Sequence, residues 1–130
     1  METKKYKLLV IDDEKDICKF VKRLFSKKGF LVYTAFSGNQ AIKIASKIKP
    51  DIALLDIYLK MGLDGLQTLK RLRKISPQCH CLMVTWDKAE EKRKGAKKLG
   101  AVSYLTKPLT VTQLYQVVNR FIKNKRKGDE

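Results

Sequence analysis

Short apolar runs alternate with longer amphipathic segments along the whole chain. The apolar runs have the length and composition of buried strands, and they occupy residues 6–11, 30–35, 51–57, 79–85 and 101–106. Between and after them, apolar residues recur every three or four positions, as on one face of a helix. These helical patterns cover residues 14–28, 41–48, 66–72, 87–99 and 111–122. We therefore expect five strands and five helices in strict alternation.

The predicted helices differ in the strength of their apolar faces. The first has a continuous stripe at i, i+3, i+4, i+7 and i+8, formed by Ile17, Phe20, Val21, Leu24 and Phe25. The last has a similar face, formed by Val111, Leu114, Tyr115, Val118 and Phe121 or Ile122. The fourth offers only Ala89, Ala96 and Leu99 to a core, and its other residues are mostly Lys and Glu. We expect this fourth helix to be weakly anchored.

Strands that alternate with helices indicate right-handed βαβ units. Such units build a mainly parallel sheet with helices on both faces, which is an α/β fold. A length of 130 residues suits a single domain. We expect this domain to span residues 1–122, and the basic stretch 123–130 to be a disordered tail or the start of a linker.

Composition excludes several classes of protein. Apolar residues make up 44% of the chain and charged residues 32%, which is ordinary for a folded globular domain. No apolar run reaches the ~18 residues that a membrane span needs, and the first residues lack the apolar core of a signal peptide. The three cysteines are an odd number without secretory features, which favours a reduced, cytoplasmic protein.

The charge is unusual, because 29 Lys and Arg residues against 13 Asp and Glu residues give a net charge of +16. Such an excess attracts nucleic acids, anionic membranes or acidic proteins. The basic residues, however, are spread over every helical segment, with few aromatic residues among them to stack on bases. We interpret them as a solvated lysine-rich surface, so nucleic acid is not the expected partner.

Polar residues follow the carboxyl ends of four strands, where sites form in open α/β sheets. They are Asp12 and Asp13 after the first strand, Asp56 on the third, Thr85 on the fourth and Lys107 after the fifth. Taken singly, the first two acids or Thr85 could cap a helix, and Lys107 could be a surface lysine. Asp56 is harder to explain so, because it follows an apolar stretch where an ionised acid is costly without a partner.

Together these residues indicate phosphoryl-transfer chemistry. Clustered carboxylates need a cation, and oxygen ligands at this density suit Mg²⁺. A carboxylate can attack phosphorus to form an aspartyl phosphate, while an ammonium and a hydroxyl hold the transferred group. The chain has no glycine-rich nucleotide-binding loop, so a nucleotide site has no support.

In these residues the chain closely resembles the receiver domains of two-component response regulators, and is similar to the stand-alone chemotaxis-type regulators. The resemblance runs from Lys7 to Ile122. It is carried by four motifs in order, "VIDDEKD", "IALLDIYLKMGLDGLQTLKRLR", "MVTWDK" and "GAVSYLTKPLT". It implies a flavodoxin-like, three-layer, doubly wound parallel sheet of five strands in the order 2-1-3-4-5, with five helices.

The resemblance also implies a role for each residue of the set. Asp56 would be the phosphoacceptor. Asp12, Asp13 and Asp56, with the backbone carbonyl of Tyr58, would bind Mg²⁺ or Mn²⁺, and Thr85 and Lys107 would hold the phosphoryl group.

Two further features follow from the same resemblance. Tyr104 matches an aromatic residue whose rotation is coupled to Thr85, although a packed strand residue explains it equally well. The Lys107–Pro108 peptide bond matches one that is usually cis.

The implied function is a phospho-acceptor switch rather than a metabolic enzyme. It would take phosphoryl from a sensor histidine kinase or a phosphotransfer protein and lose it slowly by hydrolysis. It would bind an output protein through its fourth helix, fifth strand and fifth helix. Two alternatives stay open: a pseudo-receiver that is not phosphorylated and serves as an interaction module, and the receiver fragment of a DNA-binding transcriptional regulator.

The chain departs from the family pattern near the site. Lys60 stands where proline is common, in a loop that is one residue longer than usual, and Trp86 stands where a small residue is usual. We predict that Trp86 lies at the rim of the acceptor pocket and restricts the access of water. Cys79 and Cys81 are expected in the core rather than on a metal, with His80 pointing away from both by the alternation of a strand.

Overall fold

A computed structural model of the chain describes residues 5–129, with side chains up to residue 123. The strands are β1 (Lys7–Ile11), β2 (Leu31–Ala35), β3 (Ile52–Leu55), β4 (His80–Thr85) and β5 (Ser103–Thr106). The helices are α1 (Lys15–Lys27), α2 (Gly38–Ile48), α3 (Gly65–Ile75), α4 (Glu90–Lys98) and α5 (Val111–Asp129). The predicted alternation of strands and helices is confirmed. None of the described helices is both long enough and apolar enough to cross a membrane.

The five strands form one parallel sheet in the order β2-β1-β3-β4-β5. This is the order that the resemblance implied. The chain winds outward in both directions from the β1–β3 pair, so the carboxyl ends of these two strands flank the switch point of the topology. The three middle strands are almost wholly buried, as their continuous apolar runs predict.

Each face of the sheet is covered by its own core. On one face, α1 and α5 bury Val21, Phe25 and Val118 against even-numbered residues of β1 and β3, such as Leu8 and Leu54. The other face packs against α2, α3 and α4 through Ala41, Ala45, Leu69, Leu72 and Ala96. The domain therefore has the three layers expected of a doubly wound fold.

Some boundaries and burial assignments differ from the predictions. Phe20 is 52% exposed, and Val111 is also exposed. Phe20 precedes Val21 by one position, about 100° around the helix, so it sits at the edge of the stripe while Cys18 fills the core. The segment 87–89 precedes α4 rather than belonging to it.

The end of the chain also differs. The backbone is helical to Asp129 instead of becoming irregular at residue 123, because this stretch contains good helix formers and basic residues that suit a helix C-terminus. Glu130 lies outside the described residues.

Backbone hydrogen bonds continue beyond the strand ends and fix the residues that follow them. The amide of Asp12 donates to the carbonyl of Ala35 at 3.1 Å, and the amide of Asp56 donates to Ile11 at 3.1 Å. On the far side of the sheet, the amide of Lys107 donates to the carbonyl of Thr85 at 2.7 Å. The chemistry-bearing residues are thus held by the sheet itself rather than by free loops.

Gly65 lets α3 begin directly against the end of β3. A Cβ atom at this position would lie 2.3 Å from the carbonyl oxygen of Asp56 and 2.4 Å from the Cα of Ile57. Both are backbone atoms that cannot move aside cheaply. Asp64 forms a capping box with Gln67 at the same place, which fixes the start of the helix.

We predict that Gly65→Ala lowers the free energy of unfolding by about 2 kcal/mol or more, because the new methyl group overlaps the backbone. Urea unfolding followed by circular dichroism measures the change. Gly95→Ala is the matched control, since Gly95 is inside α4 and its Cβ would meet only Leu66 at 3.8 Å. The control should gain about 0.5–1 kcal/mol from helix propensity. Equal effects of the two substitutions would contradict this explanation.

Candidate functional site

Two carboxylates and one ammonium meet at the carboxyl edge of the sheet. The Lys107 ammonium donates to Asp12 Oδ2 at 3.0 Å and to Asp56 Oδ2 at 3.1 Å. The three residues are 4%, 7% and 8% exposed for Asp12, Asp56 and Lys107, respectively. Any two of these three residues are at least 44 positions apart in the sequence, and the structure brings them together. None of them is an ordinary surface charge.

The balance of charge in this group explains the protonation of Lys107. Burial favours the neutral amine, but the hydrogen bond that Lys107 donates to Asp12 and the charges of Asp56 and Asp12 outweigh it. Together they raise the pKa of Lys107 above its ordinary value. The ammonium is therefore fully charged at neutral pH, while two carboxylates share it.

The two carboxylates are also fixed by the local backbone. Asp12 Oδ1 accepts from the amide of Glu14 at 2.9 Å, and Asp56 Oδ1 accepts from the amide of Tyr58 at 3.1 Å. Each carboxylate therefore turns one oxygen to its own loop and the other to Lys107. The N-cap of α1 is Glu14, without a side-chain cap, so neither Asp12 nor Asp13 serves as the helix cap considered above.

Asp13 lies beside this group but is not joined to it. Its Oδ2 accepts from the amide of Lys60 at 3.1 Å, which ties the end of β1 to the loop after β3. Among the side chains of residues 5–123, no three acids, histidines or cysteines are grouped as a metal site. The acidic oxygens nevertheless come from three side chains at one edge, the chemistry that Mg²⁺ prefers.

Thr85 ends β4 at full burial, and its hydroxyl accepts from the amide of Asp87 at 3.4 Å. It does not cap α4, whose N-cap is Ala89. Tyr104 lies partly buried on β5, and its hydroxyl donates to the backbone carbonyl of Asp87 at 2.7 Å. The guanidinium of Arg93 lies 5.0 Å from the centroid of the Tyr104 ring.

Asp87 is a functional candidate that the sequence predictions missed. Its carboxylate accepts a hydrogen bond from the hydroxyl of Tyr58 and another from the amide of Ala89 at 2.8 Å. With the contact from Tyr104, this residue connects the loops after β3 and β4 with β5. The available signal was its position two residues before the cap of α4, where Asp commonly orders the turn.

These contacts shift the pKa values of three side chains. The hydrogen bond from Tyr58, followed by that from Ala89, lowers the pKa of Asp87. The same bond raises the pKa of Tyr58, while burial and then the charge of Asp87 raise the pKa of Tyr104. At neutral pH, the Asp87 carboxylate is therefore charged and accepts from the neutral phenol of Tyr58, while the neutral phenol of Tyr104 donates to the backbone carbonyl of Asp87.

An open cavity of about 240 Å³ adjoins the acidic group. Its lining is mostly apolar, but Asp12, Asp56 and Lys107 also contribute to it. Phe20 of α1 and Trp86 both line the cavity, and Trp86 is 57% exposed. Trp86 thus lies on the wall of a cavity that Asp56 also lines.

The remaining residues singled out from the sequence lie outside the charged group formed by Asp12, Asp56 and Lys107, or next to it. The Lys107–Pro108 peptide bond is cis, as the resemblance implied. Cys79 and Cys81 are buried in the core and form no disulfide, and the ring centroid of His80 lies 5.4 Å from that of Phe121 with the two planes tilted by 33°. Burial, followed by the charge of Asp12, raises the pKa of Cys18 to about 11, so this thiol stays protonated beside the site.

Comparison with known proteins identifies the family. Residues 8–119 match the profile of the response regulator receiver domain. Sporulation initiation phosphotransferase F of Bacillus subtilis (strain 168) is 29% identical over 116 residues, which are 89% of this chain and 93% of that protein.

Solved structures agree. A CheY-like response regulator receiver domain protein from Methanospirillum hungatei JF-1 matches with a TM-score of 0.92 at 22% identity, over 96% of this chain and 99% of that one. This match shows the shared fold. A response regulator from Burkholderia pseudomallei, solved with a phosphorylated aspartic acid, a calcium ion and citrate, is 27% identical, with a TM-score of 0.80. The match covers 85% of this chain and 64% of that one.

We predict that Lys107→Met lowers the free energy of unfolding by about 2 kcal/mol or more in metal-free buffer, because two buried carboxylates lose their shared cation. Adding Asp12→Asn should restore part of the loss by removing one of the two charges. Urea unfolding at neutral pH with a chelator present measures both effects. Lys43→Met, on the exposed surface of α2, is the control and should change stability by less than about 0.5 kcal/mol. Equal stability of the two lysine variants would show that the shared ammonium is not structurally important.

Proposed function

Because this chain belongs to the response regulator receiver domains of two-component signalling, whose general mechanism is phosphorylation of an aspartate, we propose that Asp56 is its phosphoacceptor. The observation that carries the proposal is the group formed by Asp56, Asp12 and the Lys107 ammonium, nearly buried at the switch point of the sheet. An Asp56 oxygen would form a bond to phosphorus as the bond from phosphorus to the donor nitrogen breaks, with the electron pair staying on nitrogen. The donor would be a sensor histidine kinase or a phosphotransfer protein.

The neighbouring residues would stabilise the charge on the transferred group. Lys107 carries its ammonium on a flexible four-carbon stem that would let it follow an oxygen of the phosphoryl group, and its raised pKa keeps it protonated. The buried Thr85 hydroxyl would donate a hydrogen bond to a second oxygen. Positioning and charge neutralisation are the main requirements of phosphoryl transfer, so no further acid or base is needed.

Receiver domains generally bind Mg²⁺ at the phosphorylation site. The residue types here suit this ion, because Asp12, Asp13 and Asp56 would supply carboxylate oxygens and Tyr58 would supply a backbone carbonyl. Mg²⁺ bound there, or Mn²⁺, would neutralise part of the negative charge of the phosphoryl oxygens. This chain's own contribution is to hold Asp12 and Asp56 in place through the amides of Glu14 and Tyr58.

The response would pass through Thr85 to the α4-β5-α5 face. When Thr85 turns toward the phosphoryl group, the hydrogen bond that its hydroxyl accepts from the Asp87 amide changes. The change would reach Tyr104, because the Tyr104 hydroxyl donates to the backbone carbonyl of Asp87. Ala96 is the single buried residue of α4, and Arg93 of the same helix contacts the Tyr104 ring, so α4 can follow a movement of Tyr104. An output protein would read this face. The domain would comprise residues 1–122, act in the cytoplasm and perform no metabolite turnover beyond slow hydrolysis of its own phosphoryl group.

The proposal predicts one added phosphoryl group when the chain is incubated with Mg²⁺ and acetyl phosphate, measured by intact mass. Asp56→Asn should abolish the adduct, and removal of Mg²⁺ by a chelator should reduce it at least about tenfold, as expected where a metal neutralises transferred charge. Asp16→Asn, at an exposed acid in the first turn of α1, is the matched control and should be phosphorylated normally. A wild-type chain that gains no phosphoryl group from either acetyl phosphate or a phosphorylated histidine donor would support the pseudo-receiver alternative instead.

A second prediction concerns Trp86. Hydrolysis requires water to attack phosphorus as the bond to the Asp56 oxygen breaks, and the Trp86 ring lies on the wall of the cavity beside Asp56. Trp86→Ala should shorten the lifetime of the phosphorylated form about threefold or more, because it admits water to the site. The decay of the adduct after removal of the donor measures the lifetime. Met61→Ala removes another exposed apolar side chain that does not line the cavity and should leave the lifetime unchanged. An unchanged lifetime in Trp86→Ala would refute the proposed restriction.

A further inference from the structure

The cavity beside Asp56 has the features of a small-molecule site. It lies between α1 and the segment that leads from β5 into α5, over the carboxyl ends of β1, β3 and β4. Its apolar wall includes Val21, Leu54, Leu109 and Leu114. A volume of about 240 Å³ exceeds the ~150 Å³ that holds benzene in an engineered cavity, so a two-ring aromatic molecule suits the space.

The mouth of this cavity is aromatic. Phe20 and Trp86 come from different elements, line the same space, and are 52% and 57% exposed. Keeping two large rings in contact with water forgoes the free energy that their burial would provide. Offset or edge-to-face contact with a third aromatic ring would recover part of it. This pair of rings therefore favours an aromatic ligand over an aliphatic one.

The polar end of the cavity selects the charge of the ligand. Asp12 and Asp56 bring two negative charges and Lys107 brings one positive charge, so this end is negative overall. Ionised carboxylates offer only acceptor positions, whereas the ammonium of Lys107 already donates to both of them. A ligand that carries N–H donors and a positive charge complements this end, and an anionic ligand is repelled by it.

We propose that this cavity binds small aromatic amines, with the ring between Phe20 and Trp86 and the ammonium group directed to Asp12 and Asp56. Such a ligand would occupy the space that water needs to reach Asp56 and would compete for the same carboxylates as a divalent cation. Binding does not require Asp56 to be phosphorylated, so the inference stands or falls separately from the function proposed above.

The test uses three probes with the same ring system and different charges. They are 1-naphthylmethylamine, 1-naphthylmethanol and 1-naphthylacetate, titrated calorimetrically into the full chain in chelated, phosphate-free buffer at neutral pH. We expect the amine to bind about tenfold or more tightly than the acetate, as a hydrogen bond between charged groups would give. In ¹H–¹⁵N spectra, the indole N–H signal should shift with the amine, and the single tryptophan makes its assignment unambiguous.

Two cavity variants and one control locate the site. Phe20→Ala removes one exposed ring and should weaken amine binding about fivefold, through the lost ring contact. Leu109→Trp fills the cavity and should abolish binding. Val102→Ala removes an exposed apolar side chain outside the cavity and should bind as the wild type does. If Leu109→Trp fails to fold, Phe20→Ala alone still decides, because its side chain is on the surface.

The outcomes separate the parts of the proposal. Tighter binding of the amine, weakened in Phe20→Ala, abolished in Leu109→Trp and kept in Val102→Ala, supports it. Equal binding of all three probes would overturn the assignment of an amine. Binding that both cavity variants leave unchanged would place the ligand elsewhere on the chain, and no detectable binding of the amine would remove the site altogether.

Discussion

The arrangement of this domain depends on one ammonium shared by two carboxylates. Lys107 reaches from the end of β5 to Asp12 after β1 and Asp56 after β3, so a single cation joins three strands at one edge of the sheet. Ionised groups this deeply buried are costly unless they are paired. The requirement for a positive charge therefore shapes the site, and the backbone amides that hold the carboxylates make the shared position definite. Any ligand that binds the two carboxylates must therefore displace the Lys107 ammonium or bind beside it.

The rest of the fold makes such a concentration of charge tolerable. The sheet is covered on both faces by separate apolar cores, and its middle strands are almost wholly buried. Ladder hydrogen bonds that extend past the strand ends carry this rigidity to Asp12, Asp56 and Lys107. The site thus combines a fixed lower part made by the sheet with an upper part made by loops. In the upper part, the neutral hydroxyls of Tyr58 and Tyr104 both donate to Asp87. These two hydrogen bonds form a second network, which is more exposed than the first.

Much of this could be predicted from the sequence, because hydrophobic periodicity reports burial and burial dictates the layers. The strand ends then indicated where Asp12, Asp56, Thr85 and Lys107 lie. Periodicity could not show that Phe20 faces solvent, since a residue at the edge of a stripe is decided by the packing of neighbouring elements. Nor could it find Asp87, whose role depends on contacts with Tyr58 and Tyr104, which lie 29 and 17 positions away. Contacts between loops depend on tertiary geometry that local patterns do not contain.

The weak anchoring of α4 has a consequence for the thermodynamics of switching. Of its nine residues, Ala96 alone is buried, and its N-cap makes no side-chain hydrogen bond. When a helix with one buried methyl group leaves its place, it vacates a very small volume, and the free energy of a vacated core site grows with that volume. Displacement of α4 therefore opens almost no void beneath it, unlike displacement of α1, which would empty the sites of Val21 and Phe25. A shift of α4 over the sheet therefore costs little packing free energy, whereas a similar shift of α1 would cost much more.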